Sequence, residues 1–235
     1  MICPDPDTCT VDQSLPQGPV STAVLTRAVW YNVSRHPGIF NRSGRGDSRF
    51  SPLFDGDSNV IPHTYIAQNH VSALLETALH DTWGDENLVE RSDLEGLTLR
   101  AVAPQVDHLL FDIRDVQLPQ YGLDRENLVS CSSAHYPCTR DWARTRAQMQ
   151  VDGHSTSGFI WNSRQAEIAA AHADAPMRVL LTVAEQSGHI AVVYDHDNAG
   201  DAVFDQEVIY EDLSRGDGFD FVRQTATLVG LAVAV

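Results

Sequence analysis

The stretch RFSPLFDGDSNVIPHTYIAQNHVSALLETALHD, residues 49–81, decides how the chain is read. It opens on an arginine–aromatic pair, Arg49–Phe50, followed by Pro52. A Gly/Asp/Ser/Asn turn spans Asp55 to Asn59, and HTYIA (His63–Ala67) then reads as a short strand. From His70 to Thr82, Val71, Leu74, Leu75, Ala78 and Leu79 fall at i, i+3, i+4, i+7 and i+8, the apolar stripe of an amphipathic helix. Asn69 is placed to cap it. Glu76 and His80 fall together on the helical wheel, away from that stripe, where a glutamate is ordinarily just solvated. An active site, if the chain has one, is expected on these three elements, with Arg49 on the loop, Tyr65 on the strand and Glu76 on the helix.

Before this stretch, STAVLTRAVWYNVS (residues 21–34) is rich in β-branched and aromatic residues and predicts one strand of about ten residues, with Arg27 in its middle. The following loop gathers Arg35, Arg42, Arg45 and Arg49 among glycines, and a phosphate-bearing ligand would explain that local positive charge. Downstream, RAVAPQVDHLLFDIRDV (100–116) predicts a strand or strand pair. CTRDWARTRAQMQ (138–150) predicts a helix with its arginines on one side and Trp142 on the other. GFIW (158–161) reads as a short strand leading into a helix capped by Asn162 or Ser163 and ending before Pro176. MRVLLTVA (177–184), GHIAVVYDHD (188–197) and AVFDQEVIYEDL (202–213) are strand candidates, ahead of a helical or strand-like tail at 226–235. Runs of strands with few crossover helices imply an α+β fold, a largely antiparallel sheet with flanking helices. Residues 1–20, with four prolines, read as a surface arm; 21–235 read as one domain with an elaborated segment at about 84–150.

A length of 235 residues suits one domain. The net charge is −16, and every basic side chain is an arginine. Without lysine, neither a Schiff base nor a P-loop is available. The acidic balance argues against direct binding to nucleic acid or to an anionic membrane. MICPDPDTCT has neither the basic nor the apolar region of a signal peptide, and no stretch approaches the roughly 18 apolar residues of a membrane helix. A cytoplasmic protein is therefore expected, with Cys3, Cys9, Cys131 and Cys138 as reduced thiols. Cys131 and Cys138 are too far apart in sequence for the tight cysteine turn of a zinc site, even with His135 between them, so no metal is expected.

There is no G-x-S-x-G elbow, no H-E-x-x-H and no G-x-G-x-x-G fingerprint. What remains is Arg27, Arg49, Tyr65, Glu76 and Ser163. They sit in L-T-R-A, in G-x-x-R-F-S-P, in T-Y-I-A followed by L-L-E, and in F-I-W-N-S-R, in that order. This ordered set resembles the RES-domain family over about residues 24–82 and 150–170. The resemblance implies an ADP-ribosyltransferase-like fold and an enzyme that consumes NAD as substrate, by hydrolysis or phosphorolysis, or by transferring ADP-ribose to a protein. It also implies the toxin half of a toxin–antitoxin pair, whose antitoxin carries an Xre-type helix-turn-helix. A homodimer is left open. Carried over by position, Arg27 and Arg49 match the two arginines, Tyr65 the strand tyrosine, Glu76 the glutamate and Ser163 the serine. Glu76, Arg49 and Ser163 would then act on the reaction, and Arg27, Arg49, Tyr65 and Ser163 would bind NAD. Two positions depart from the pattern. Ala28 stands where an aromatic often follows the first arginine, so Trp30 or Tyr31 would supply the stacking surface, and Ser51 replaces an asparagine.

The chemistry suits these residue types. Breaking the nicotinamide–ribose bond builds an oxocarbenium-like cation, which a carboxylate stabilises. Arginine forks hold a pyrophosphate bidentately, and a tyrosine face can stack on a ring. The competing reading is a non-catalytic acidic module that meets a basic partner.

Overall fold

In the strand HIAVVY, Ile190, Val192 and Tyr194 enter one apolar core while Ala191 and Val193 enter another. Side chains of a strand alternate between its faces, so this strand must lie between two cores. The same alternation holds in GFIWN, where Phe159 and Trp161 face the larger core and Ile160 the smaller. The computed structural model describes residues 20–80, 88–123, 125–131, 133–147, 149–172, 188–197 and 199–234. Cys3, Cys9, most of the expected arm and the strand candidate at 177–184 lie outside these residues.

The strands are β1 (Thr22–Leu25), β2 (Trp30–Ser34), β3 (Leu53–Phe54), β4 (Val60–Ile61), β5 (His63–Ala67), β6 (Leu88–Val89) and β7 (Thr98–Pro104). They continue with β8 (His108–Asp112), β9 (Gln150–Val151), β10 (His154–Ser155), β11 (Gly158–Asn162), β12 (His189–Tyr194), β13 (Phe204–Tyr210) and β14 (Ala232–Val233). The helices are α1 (His70–Leu75), α2 (Arg125–Leu128), α3 (Tyr136–Arg146), α4 (Arg164–His172) and α5 (Gly216–Leu228). Among the described residues, eight strands form the main sheet in the order β1-β8-β11-β12-β5-β2-β7-β13. Among the pairings of the described residues in this sheet only β8–β11 is parallel, so the fold is α+β with an antiparallel-dominated sheet. Gly158 opens β11 because a Cβ there would lie 1.9 Å from the carbonyl oxygen of Val192 on the neighbouring strand.

The register fixes where the site can form. Ala67 ends β5 opposite Ile190, Asn162 ends β11 opposite His189, and the Gln68 N–H donates to the His189 carbonyl at 3.1 Å. Helices α1 and α4 therefore leave the sheet from the same end. Asn69 caps α1 as expected, its side chain accepting from the Ser72 N–H at 2.7 Å. The regular helix stops at Leu75, earlier than the stripe predicts, yet the Leu79 N–H still reaches the Leu74 carbonyl at 3.1 Å and Leu79 is fully buried.

Three sequence readings are corrected. The expected single strand at 21–34 is two, β1 pairing with β8 at the sheet's edge and β2 lying between β5 and β7. Leu25 and Trp30 both enter the smaller core. Five positions apart, they would face opposite sides of one continuous strand, so the chain must break between them. Arg27 lies in that break. The segment 84–150, expected as an elaboration, supplies β7 and β8 to the main sheet and Trp142 to the larger core. Arg146 does not part from Trp142 but lies buried with its guanidinium 4.7 Å from the ring centre. Helix α5 had no clear sequence signal, because its first turn contains Gly216 and Gly218 and no side chain caps it. Gly218 is required by close packing, since a Cβ there would come within 2.4 Å of the Asp212 carbonyl.

His63 on β5 is 4% exposed, and its Nδ1 is buried without a partner. Burial chiefly lowers its imidazole to about 4, opposed by a backbone hydrogen bond at Ile61 and assisted by His36. The unfolded imidazole titrates near 6.5, so between these values the unfolded chain binds a proton that the folded chain refuses. His63 should thus contribute stability above about pH 6.5 that disappears, by roughly 3 kcal/mol, as the pH falls to about 4. Urea midpoints between about pH 7.5 and 4.5 should fall accordingly, and His63→Gln should flatten the fall; equal slopes in the two proteins would contradict this assignment.

Candidate active site

Phe50 is fully buried, with its ring 5.2 Å from Trp161, 5.4 Å from Phe159 and 6.4 Å from Trp142. The backbone around it is held from three directions. The Tyr194 hydroxyl donates to the Phe50 carbonyl at 2.5 Å, and the Phe50 N–H donates to the Tyr65 hydroxyl at 3.3 Å. Thr139 Oγ1 donates to the Arg49 carbonyl at 2.6 Å. With its peptide groups fixed, Arg49 directs its guanidinium to the Cys131 carbonyl at 3.1 Å and over the Tyr136 ring at 5.2 Å. Its Nε is buried without a partner.

Ser163 sits between β11 and α4 and is 1% exposed. Its Oγ accepts the Ala166 N–H at 2.9 Å, the bond of a helix cap, and donates to Glu76 Oε1 at 2.5 Å. A hydroxyl has one proton, and here it goes to the carboxylate. Glu76 follows the last residue of α1, and its Oε2 has no hydrogen bond among the described residues. One serine thus starts α4 and fixes the rotamer of the glutamate that ends α1.

Glu76 opens on a cavity of about 250 Å³. Arg49, Glu76 and His80 form one part of its wall, and Val129, Cys131, Ser133 and Tyr136 another. Trp161, Arg164, Gln165 and Ile168 complete it from β11 and α4. Arg164 donates to the Ser130 carbonyl at 2.9 Å. A carboxylate and two guanidiniums therefore face one hollow in a chain of net charge −16. Larger hollows of about 520 and 770 Å³ include none of Arg49, Glu76 or Ser163 in their walls.

Of the residues singled out by sequence, Arg49, Glu76 and Ser163 converge. Tyr65 stands behind the wall, its ring edge-on to Trp161 at 6.0 Å and its hydroxyl shared with Ser48 at 2.9 Å and Ser51 at 3.3 Å. Burial raises its phenol, against those hydrogen bonds and the nearby Arg49 charge, so it stays neutral. Arg27 is exposed in the bend between β1 and β2 and does not line the cavity. The other loop arginines do not form a common anion site. Arg35 holds the backbone carbonyls of Asp93 and Glu95, Arg42 pairs with Asp195 at 3.3 Å, and Arg45 is exposed. Cys131 and Cys138 are buried thiols outside any disulfide, and no group of three His, Cys, Asp or Glu among the described residues could hold a metal.

Sequence reasoning missed Arg164, Gln165, Trp161 and Tyr136. The first two directly follow Ser163, and a cap at Ser163 leaves the first turn of α4 beside whatever Ser163 touches. Tyr136 carried no signal, because its segment was read as an elaboration.

The family model for the RES domain matches residues 24–195, most of the chain. The chain belongs to the RES domain family. No curated protein and no solved structure matches it. The matched span of this RES domain contains every residue of the cavity wall and the whole segment 84–150. Membership associates the chain with toxin-like enzymes that act on NAD. No helix among the described residues is long and apolar enough to cross a membrane.

If Tyr65 is a pillar for the Phe50 backbone, Tyr65→Phe should destabilise the RES domain by about 1–3 kcal/mol, because the Phe50 N–H and the serine hydroxyls lose a buried partner. Urea unfolding reads this directly. An unchanged midpoint would mean that the ring, not the hydroxyl, is what the fold uses.

Proposed function

We propose that this RES domain cleaves the nicotinamide–ribose bond of NAD, as a glycohydrolase or phosphorylase, and serves as the toxin of a toxin–antitoxin pair with an Xre-type partner. The observation that carries the proposal is the Glu76 carboxylate, oriented by Ser163 on the wall of a cavity shared with Arg49 and Arg164. Nicotinamide leaves as a neutral molecule and needs no general acid. The developing charge lies on the ribose, where a carboxylate fixed in advance stabilises it most. Oε1 is occupied by the Ser163 hydroxyl, so Oε2 is the oxygen left to face the ribose or to take a proton from an incoming water. The two guanidiniums supply donors to the pyrophosphate.

Purified protein incubated with NAD should release nicotinamide. Absence of turnover with and without phosphate, together with no ADP-ribosylated protein in lysate, would remove the enzymatic reading. Glu76→Gln keeps an oxygen for Ser163 while removing the charge, so turnover should fall at least about a hundredfold with stability changed by less than about 1 kcal/mol. Wild-type rates in that variant would show that Glu76 is not the stabilising group. Arg164 is exposed and its loss should be tolerated by the fold. Arg164→Ala should raise KM for NAD about tenfold with kcat little altered, the pattern of lost ground-state binding. Steady-state kinetics separate this from a loss in kcat.

A further inference from the structure

One residue of the cavity wall carries a buried polar atom without a partner. Gln165, the second residue of α4, is 8% exposed, and its Oε1 is buried without a hydrogen bond. It lies on the wall with Trp161 and Arg164. An unsatisfied buried carbonyl costs about 1–3 kcal/mol, and a ligand that brings an N–H recovers it.

The neighbouring charges narrow what that ligand group can be. Arg49 and Arg164 are donors only, and by themselves they favour an anionic substituent over a neutral one. The Gln165 oxygen acts in the opposite direction, accepting an N–H and repelling a carboxylate. Trp161 adds an aromatic wall for a planar ring. We propose that Gln165 Oε1 accepts the carboxamide N–H of a nicotinamide ring packed near Trp161, so that Gln165 is the residue that makes the site prefer nicotinamide to nicotinate. This rests on the reading of the cavity as an NAD site and adds its selectivity against the deamidated dinucleotide.

The free rings are the probes. Binding of nicotinamide and of nicotinate to the full chain is measured by ligand-detected NMR for wild type, Gln165→Ala, Gln165→Met and Gln165→Glu. Wild type should bind nicotinamide about tenfold more tightly than nicotinate, the effect of one hydrogen bond gained or lost. Gln165→Ala, and Gln165→Met if the smaller side chain fails to fold, should bring the two within about twofold. Gln165→Glu, which keeps an acceptor, should retain the preference. No preference in wild type, no binding of nicotinamide, or a preference that survives in a folded Ala or Met variant overturns the assignment. Ring binding requires no turnover. A protein that cleaves NAD but fails here loses only the role of Gln165, and one that passes here but leaves NAD intact loses only the cleavage reading.

Discussion

Burial of the Phe50 ring is the constraint on which the site depends. A ring packed against Trp161, Phe159 and Trp142 cannot be displaced without opening the larger core. The peptide groups on either side of it are claimed by hydroxyls from β5, β12 and α3, namely Tyr65, Tyr194 and Thr139. Three elements distant in sequence therefore hold one dipeptide. Arg49 inherits its position from that arrangement, and a flexible side chain becomes a fixed donor on the cavity wall.

The two sides of the cavity are assembled by different physics. Around Arg49 the backbone is anchored by aromatic packing and hydroxyl donors, and the guanidinium rests on a carbonyl and a tyrosine ring. Around Glu76 the geometry comes from the sheet register, which aligns the ends of β5 and β11 on either side of β12 and starts α1 and α4 from these two flanking strands. The bond from Ser163 to Glu76 then closes the gap between the helices. Neither side alone makes a site, because the carboxylate needs the register and the arginine needs the core.

Much of this was legible in the sequence where local chemistry and tertiary demand agree. The alternating strands at 63–67, 158–162 and 189–194, the Asn69 cap and the Ser163 cap all follow from residue type and spacing. The convergence of Arg49, Glu76 and Ser163 came from ordered motifs, which fix the partners but not their geometry. What was not legible depended on the sheet order. That the chain leaves β1 at an edge and re-enters the sheet between β5 and β7 is invisible in an unbroken run of strand-forming residues. Tyr65 looked like a stacking surface because an aromatic on a strand gives no sign of whether its hydroxyl is already engaged. The loop arginines looked like one anion site because charge density says nothing of which carbonyls and carboxylates the fold will set beside them.

The Ser163 hydroxyl has a mechanical consequence. Its single oxygen is both the first fastening of α4 and the arm that holds the carboxylate at the end of α1. Any motion that draws α4 away from α1 frays the helix and releases the carboxylate in one stroke. Widening the cavity from that side and keeping Glu76 aimed are thus mutually exclusive.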